Sequence, residues 1–289
     1  MPTKVEKDSL TGTETTGHEW DGIRELNNPL PKWWLYVFYV TIAWSLVYWV
    51  LYPSIPGITG YFGGVLGADQ RSALESKMDA ARAAQADLYE AVAARSPAEI
   101  AADPNLATFA FAGGEAAYAD NCAPCHGLGG AGQANYPVLA DDAWIWGGTM
   151  EAIQTTLLHG IRADNPDTRS SMMPAYGAMN ILNREQIDAV ASHVLSLSGK
   201  VDPAEVPEEG RTVYEANCVA CHGADGAGNS ALGAPRLNDQ VWLYGGTHEA
   251  VMAQITEPQH GMMPAWQGRL DDETIKMLTV YVHQLGGGE

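Results

Sequence analysis

Two pentapeptides hold every cysteine of this 289-residue chain: Cys122-Ala123-Pro124-Cys125-His126 and Cys218-Val219-Ala220-Cys221-His222. Two thiols one helical turn apart reach the two vinyl groups of one porphyrin, and the next residue sets its imidazole against the iron. The spacing therefore predicts covalent attachment of a c-type haem, twice. Cys-x-x-Cys alone also serves redox disulfides and zinc half-sites. A thioredoxin-like motif needs a βαβ setting, whereas both pairs here follow helix-like stretches and run into Gly-rich loops. A single zinc site would not repeat the same pentapeptide in matched surroundings. No cysteine is left for a disulfide or a catalytic thiol.

The flanks repeat as well, which marks a duplication. Tyr118-Ala119-Asp120-Asn121 answers Tyr214-Glu215-Ala216-Asn217, and Trp144-Ile145-Trp146-Gly147-Gly148-Thr149 answers Trp242-Leu243-Tyr244-Gly245-Gly246-Thr247. Met172-Met173-Pro174-Ala175-Tyr176 then answers Met262-Met263-Pro264-Ala265-Trp266. The first copy carries extra residues around Arg162 to Arg169, read as a longer surface loop. Each repeat closes with an amphipathic helix. Asn183 and Asp271 are the expected N-caps, and Ile187, Val190, Val194 and Leu197 match Ile275, Leu278, Val282 and Leu285 on one face.

This order of parts resembles class I cytochrome c from about residue 106 to 286. The resemblance implies that His126 and His222 are proximal iron ligands and that Met173 and Met263, each just before a proline, are distal ones. A thioether opposite an imidazole favours Fe(II) and raises the reduction potential. Met172, Met262 and Met179 compete for the distal position, and bis-histidine ligation through His159, His193 or His260 is the other option. His193 stands in the slot of Tyr281, where the family packs an aromatic ring on the first helix. Tyr118 and Tyr214 are expected in that helix contact, and Trp144, Trp146, Trp242 and Trp266 as walls of the haem pockets.

The location follows from hydropathy and charge. Residues 33–52 contain no charge, are long enough to cross a bilayer, and carry Trp33, Trp34, Trp49 and Tyr52 near their ends as interfacial anchors. A cleaved signal peptide would start earlier, be shorter and end at small residues. Lys4, Lys7, Arg24 and Lys32 precede the span and only Arg71 follows closely, which puts the N-terminus in the cytoplasm and the haem segments in the periplasm. Haem c is attached on that outer side of bacterial inner membranes.

Pro53 to Gly67 reads as a bent, partly membrane-hugging connection, Ala68 to Ala94 as an Ala-rich helix, and Asp103-Pro104 as the entry to the first repeat. The expected architecture is mainly α: one N-terminal transmembrane helix followed by two tandem class I cytochrome c domains. Its layout is a cytoplasmic segment 1–32, a membrane helix 33–52, a spacer 53–105, a first domain 106–200, a linker 201–209 and a second domain 210–289. The formal net charge of −19 disfavours nucleic acid and suits a basic electron carrier docking beside a haem edge.

Two classes of function fit so far. One is an electron-transfer subunit of a membrane enzyme. The other is a self-contained dihaem enzyme such as a peroxidase, or a free-standing membrane electron carrier. Within the first class, the cytochrome subunit of a periplasmic membrane-bound dehydrogenase is the alternative that the haem motifs alone do not exclude. A peroxidase needs an open iron position, whereas both repeats offer a Met-Pro. The segment Asp21-Gly22-Ile23 … Asn28-Pro29-Leu30-Pro31-Lys32-Trp33-Trp34 resembles the entry of the dihaem subunit (CcoP/FixP) of cbb3-type cytochrome c oxidases. That resemblance covers nearly the whole chain. It implies that electrons from a soluble or membrane cytochrome c pass through two haems toward a monohaem subunit and a haem–copper catalytic subunit. This chain would then hold no catalytic residue for oxygen reduction.

Overall fold

The computed structural model describes residues 4–286 and Gly288. Its two compact units meet between Ala84 and Gln85, inside one long helix.

The N-terminal unit begins with a hairpin that hydropathy alone did not announce, β1 (Thr15–Trp20) antiparallel to β2 (Ile23–Leu26). Its turn is Asp21-Gly22, both at positive φ (48° and 85°), the dipeptide and geometry that match the twist of a two-residue hairpin. Pro29 and Pro31 keep the following segment extended. Helix α1 (Lys32–Leu51) then runs for 20 residues with no buried side chain. A helix apolar on every face and left bare by the described residues except at its last turn is what a bilayer accepts as a span. After a short hairpin at 54–62, helix α2 (Gln70–Ala93) begins, close to the expected Ala-rich stretch.

The second unit is an assembly of helices. A capping box of Ser96 and Glu99 starts α3 (Pro97–Ala102), and Asp103 caps α4 (Pro104–Asn121), with proline at the first helical position of each. The first pentapeptide forms α5 (Ala123–His126) directly after α4. Then come α6 (Met150–His159), α7 (Arg184–Leu197), α8 (Glu208–Asn217), α9 (Val219–His222) with the second pentapeptide, α10 (His248–Thr256) and α11 (Asp272–Leu285). Asn183 and Asp271 cap α7 and α11 as expected, accepting from the Gln186 and Thr274 amides.

The packing of these helices does not follow the repeats. The terminal helix of the second repeat, α11, lies on the first helix of the first repeat, α4. Ile275, Leu278, Tyr281 and Val282 share a core with Tyr118, Cys122, Ile153 and Leu157. Conversely α7 of the first repeat packs on α8 and α10 of the second, where Ile187, Val190, Ala191 and Val194 meet Val213, Tyr214, Val251 and Ile255. Consecutive helices joined by a short connection tend to be neighbours, and the ten residues from 198 to 207 fold α7 straight back against α8. The second packing module is thus one continuous stretch, and the first is closed by the segments on either side of it. Glycines permit both contacts: a Cβ on Gly114 would strike the Met277 carbonyl of α11, and one on Gly210 the Ala189 carbonyl of α7.

Candidate functional site: two Cys-x-x-Cys-His motifs

Each pentapeptide sits where one helix ends and a one-turn helix begins. Cys122 terminates α4 and starts α5, and its carbonyl accepts from the amides of Cys125 (3.1 Å) and His126 (2.9 Å). Cys218 repeats this with Cys221 (3.1 Å) and His222 (2.9 Å). Both sulfurs of a pair therefore rise from a single turn. Burial, helped by the charge of the neighbouring Cys125, pushes the Cys122 thiol up to about 11; Cys218 is pushed up to about 11 by burial and Cys221.

The imidazoles are prepared alike. His126 Nδ1 lies 3.1 Å from the Pro137 carbonyl and His222 Nδ1 lies 3.0 Å from that of Pro235. A carbonyl can only accept, so Nδ1 carries the proton and Nε2 keeps its lone pair free for a metal. Burial lowers the pKa of both histidines against the opposing effect of that hydrogen bond, so each stays neutral. Behind each pocket a tyrosine ties the preceding helix to the loop after the histidine. Tyr118 Oη donates to Gly127 O (3.0 Å) and Tyr214 Oη to Gly223 O (2.8 Å).

The methionines arrive crosswise. Met263 packs into the core that holds Tyr118, Cys122 and Ala123. Its backbone pairs with Ile161 at the end of α6 in both directions (2.9 and 3.0 Å), and the Trp266 amide donates to Leu157 O (2.9 Å). Met173 packs into the core that holds Tyr214, Cys218 and Val219, while Tyr176 Oη donates to Asn217 O at 2.8 Å. Met172, Met262 and Met179 point outward, each more than three-fifths exposed. The residues around Arg162 to Arg169, expected as a plain surface loop, instead staple the crossing. Arg162 Nε donates to Gly261 O (2.7 Å) and its Nη1 to Ser171 O (2.8 Å), and Arg169 stacks over Trp146 with 5.4 Å from guanidinium carbon to ring centroid. The sign of this was two arginines where the other repeat has none.

The other sequence candidates divide. Tyr118 packs at a tilt against Tyr281 and Tyr214 against His193, the helix contacts that were expected, made between repeats. His248 Nε2 meets Ser192 Oγ, a surface contact. His159 Nδ1 is buried without a partner.

A cavity of about 240 Å³ lies between the two histidine loops, lined by Tyr136, Pro137 and Trp144 from one and Pro235, Arg236 and Trp242 from the other. Trp144 Nε1 and Trp242 Nε1 are buried with no hydrogen-bond acceptor among the described residues. In each repeat one orphan donor, one primed imidazole and one thiol pair fit one porphyrin, whose propionates would accept from the indole.

Comparison with known proteins agrees with this chemistry. Residues 12–59 match the N-terminal domain of cytochrome oxidase-cbb3, FixP; residues 111–198 match cytochrome c; and residues 205–282 match cytochrome c oxidase, cbb3-type, subunit III. Cbb3-type cytochrome c oxidase subunit CcoP from Azospirillum sp. (strain B510) is 53% identical over 291 residues, covering 98% of both chains. CcoP from Azospirillum brasilense is also 53% identical over 291 residues, covering 98% of this chain and 99% of its own. Subunit FixP from Sinorhizobium medicae is 49% identical over 283 residues, covering 98% of this chain and 97% of its own. With a single apolar helix ahead of cytochrome c repeats that bind haem c, the chain belongs to the CcoP/FixP family, the membrane-anchored cytochrome c subunit of cbb3-type oxidases.

Proposed function

We propose that the chain holds two haem c groups, on Cys122/Cys125 and on Cys218/Cys221, and relays electrons through them from a cytochrome c to the catalytic part of a cbb3-type oxidase. The observation that carries this is the pair of neutral imidazoles, each holding Nδ1 on a loop carbonyl with Nε2 left free, and each followed in sequence by a buried indole N–H without an acceptor among the described residues. Haem iron, when bound, supplies one-electron exchange between ferrous and ferric states. The protein's part is to hold each imidazole in one tautomer, keep the thioether sulfur against the opposite face, and exclude water.

The packing supports His126 with Met263 and His222 with Met173 as the axial pairs, each combining one residue from either repeat. Met173 and Met263 are half-buried in those cores, and their neighbours Met172 and Met262 face solvent. The test uses a chain with one haem removed. In a Cys122→Ser/Cys125→Ser background, replacing Met173 by Ala should abolish the remaining near-infrared Fe–S band, and replacing Met263 should leave it. The reverse result would restore uncrossed pairs.

The layout supports residues 1–32 on the cytoplasmic side, 33–52 across the membrane and the repeats in the periplasm. The four cations ahead of the span against Arg71 after it are the basis. A formal charge of −19 favours a basic cytochrome c as donor. Partners in this reading are a monohaem cytochrome subunit and a haem–copper subunit, and oxygen reduction belongs to the latter. This chain, separated from the purified native complex, should give two covalently held haems per chain by pyridine haemochrome. Oxygen uptake from reduced cytochrome c should stop when this chain is deleted. Copurification with a flavin or quinoprotein dehydrogenase instead would overturn the assignment.

A further inference from the structure

The segment between the membrane helix and α2 is more than a connector. From Trp33 to Ala68 the sequence has no charged residue, so the uncharged run continues 16 residues past Tyr52. These residues fold into a small hairpin. Ser54 N–H donates to Phe62 O (3.1 Å), Phe62 N–H to Ile55 O (2.9 Å), and Pro56 bridges Tyr61. The chain then turns back onto the end of the span, where the Val65 and Leu66 amides donate to the Val50 (2.9 Å) and Leu51 (3.1 Å) carbonyls. These are carbonyls of the last helical turn, which a helix end leaves without intrahelical donors. Gly64, at φ 75°, makes the fit, because a Cβ there would run into the Leu51 carbonyl and the Tyr52 backbone.

The side chains of this docked hairpin face outward. Ile58 at its tip is fully exposed (106%), and Ile55, Tyr61, Phe62, Val65 and Leu66 are all exposed. In water such a patch on so few residues has no stabilising partner. Its position supplies one. A 20-residue helix is about 30 Å long, the thickness of the hydrocarbon core. A hairpin hydrogen-bonded to the last turn is therefore held at the membrane–water boundary, where apolar and aromatic side chains beside unpaired backbone groups are well accommodated.

We propose that residues 54–66 form an interfacial wedge that inserts into the lipid leaflet at the C-terminal end of the span. There it fixes the depth of the helix and the point from which α2 leaves the membrane. The occupant of the apolar face is lipid, because the face continues the uncharged surface of the span without a break. The inference rests on α1 being a membrane anchor, and the test separates the two.

The whole oxidase in nanodiscs is photolysed with a phospholipid carrying a diazirine in its acyl chain, and adducts are mapped by mass spectrometry. Adducts should fall on residues 55–66 as well as on the span, and not on residues 70–84. Substituting Gly64→Val, which breaks the dock, should remove adducts from the hairpin while those on the span persist. Adducts confined to residues 33–52 in the unaltered protein would overturn the wedge, including the case in which another subunit covers it, and leave the anchor standing. Absence from both would remove the anchor and the wedge together.

Discussion

The two packing modules share a plan and differ in their shells. In the module around the first pentapeptide, α4 is 18 residues long and α11 is held by three aromatic rings, Phe111, Tyr118 and Tyr281. A further layer lies outside. Val92, Ile100, Leu106, Ala110, Met277 and Val280 form a buried cluster, and Lys276 Nζ closes the end of α2 on the Val92 and Ala93 carbonyls. In the second module α8 has only 10 residues, the ring opposite Tyr214 is His193, and among the described residues no comparable layer covers it. The difference teaches that duplication fixed the chemistry while the surroundings diverged. The pockets repeat almost atom for atom, but the first has the deeper core.

The severest way to break the comparison is to end the chain after Val201. Two self-contained tandem domains would leave the first intact. In the observed packing the first module loses α11 with Ile275, Leu278, Tyr281 and Val282, and α7 loses α8. The truncated protein should show no cooperative thermal transition by circular dichroism and no Fe–S band. A folded product with a His/Met spectrum would mean that α7 can close the first module in place of α11. Both helices carry the same apolar face, which is the ordinary condition for element exchange.

That same sequence similarity explains what could and could not be read in advance. The thiol pairs, the histidines, the Met-Pro pairs, the helix caps and the span are local features, each set by residue types within one or two turns. Which Met-Pro approaches which histidine is not local. Ile187/Val190/Val194 and Ile275/Leu278/Val282 are interchangeable as stripes, and only the short 198–207 connection and the arginines at 162 and 169 distinguish the two closures. The Asp21-Gly22 hairpin was not read in advance: its turn dipeptide is a local signal, but its strands alternate too weakly to stand out.

A milder change sharpens the contrast in shells. Met277 is 3% exposed and belongs to the outer layer of the first module, in a cluster separate from the one that holds Cys122 and Met263. Met277→Ala should cost about 2–5 kcal/mol, the usual range for emptying a core methionine. The effect should appear as a lower melting temperature with both Fe–S bands retained below the transition. A loss of either band at low temperature would show that this layer supports ligand geometry as well as stability.

The smallest expected effect concerns the ring that differs between the modules. Burial, reinforced by Arg211, lowers the pKa of His193 against the opposing charge of Glu215. The native state thus resists a proton that the unfolded chain takes up below about pH 6.5. The contribution of His193 is therefore intact above that pH, is lost as pH falls through 6.5 toward the depressed native value, and levels off below it. Tyr281 fills the equivalent slot without titrating in this range. His193→Tyr should consequently raise the melting temperature slightly at pH 5 and leave it nearly unchanged at pH 7.5, with the haem spectra unaltered. An equal shift at both pH values would trace the effect to the larger ring packing on Tyr214, and the acid sensitivity of the second module would then lie elsewhere than in this pair.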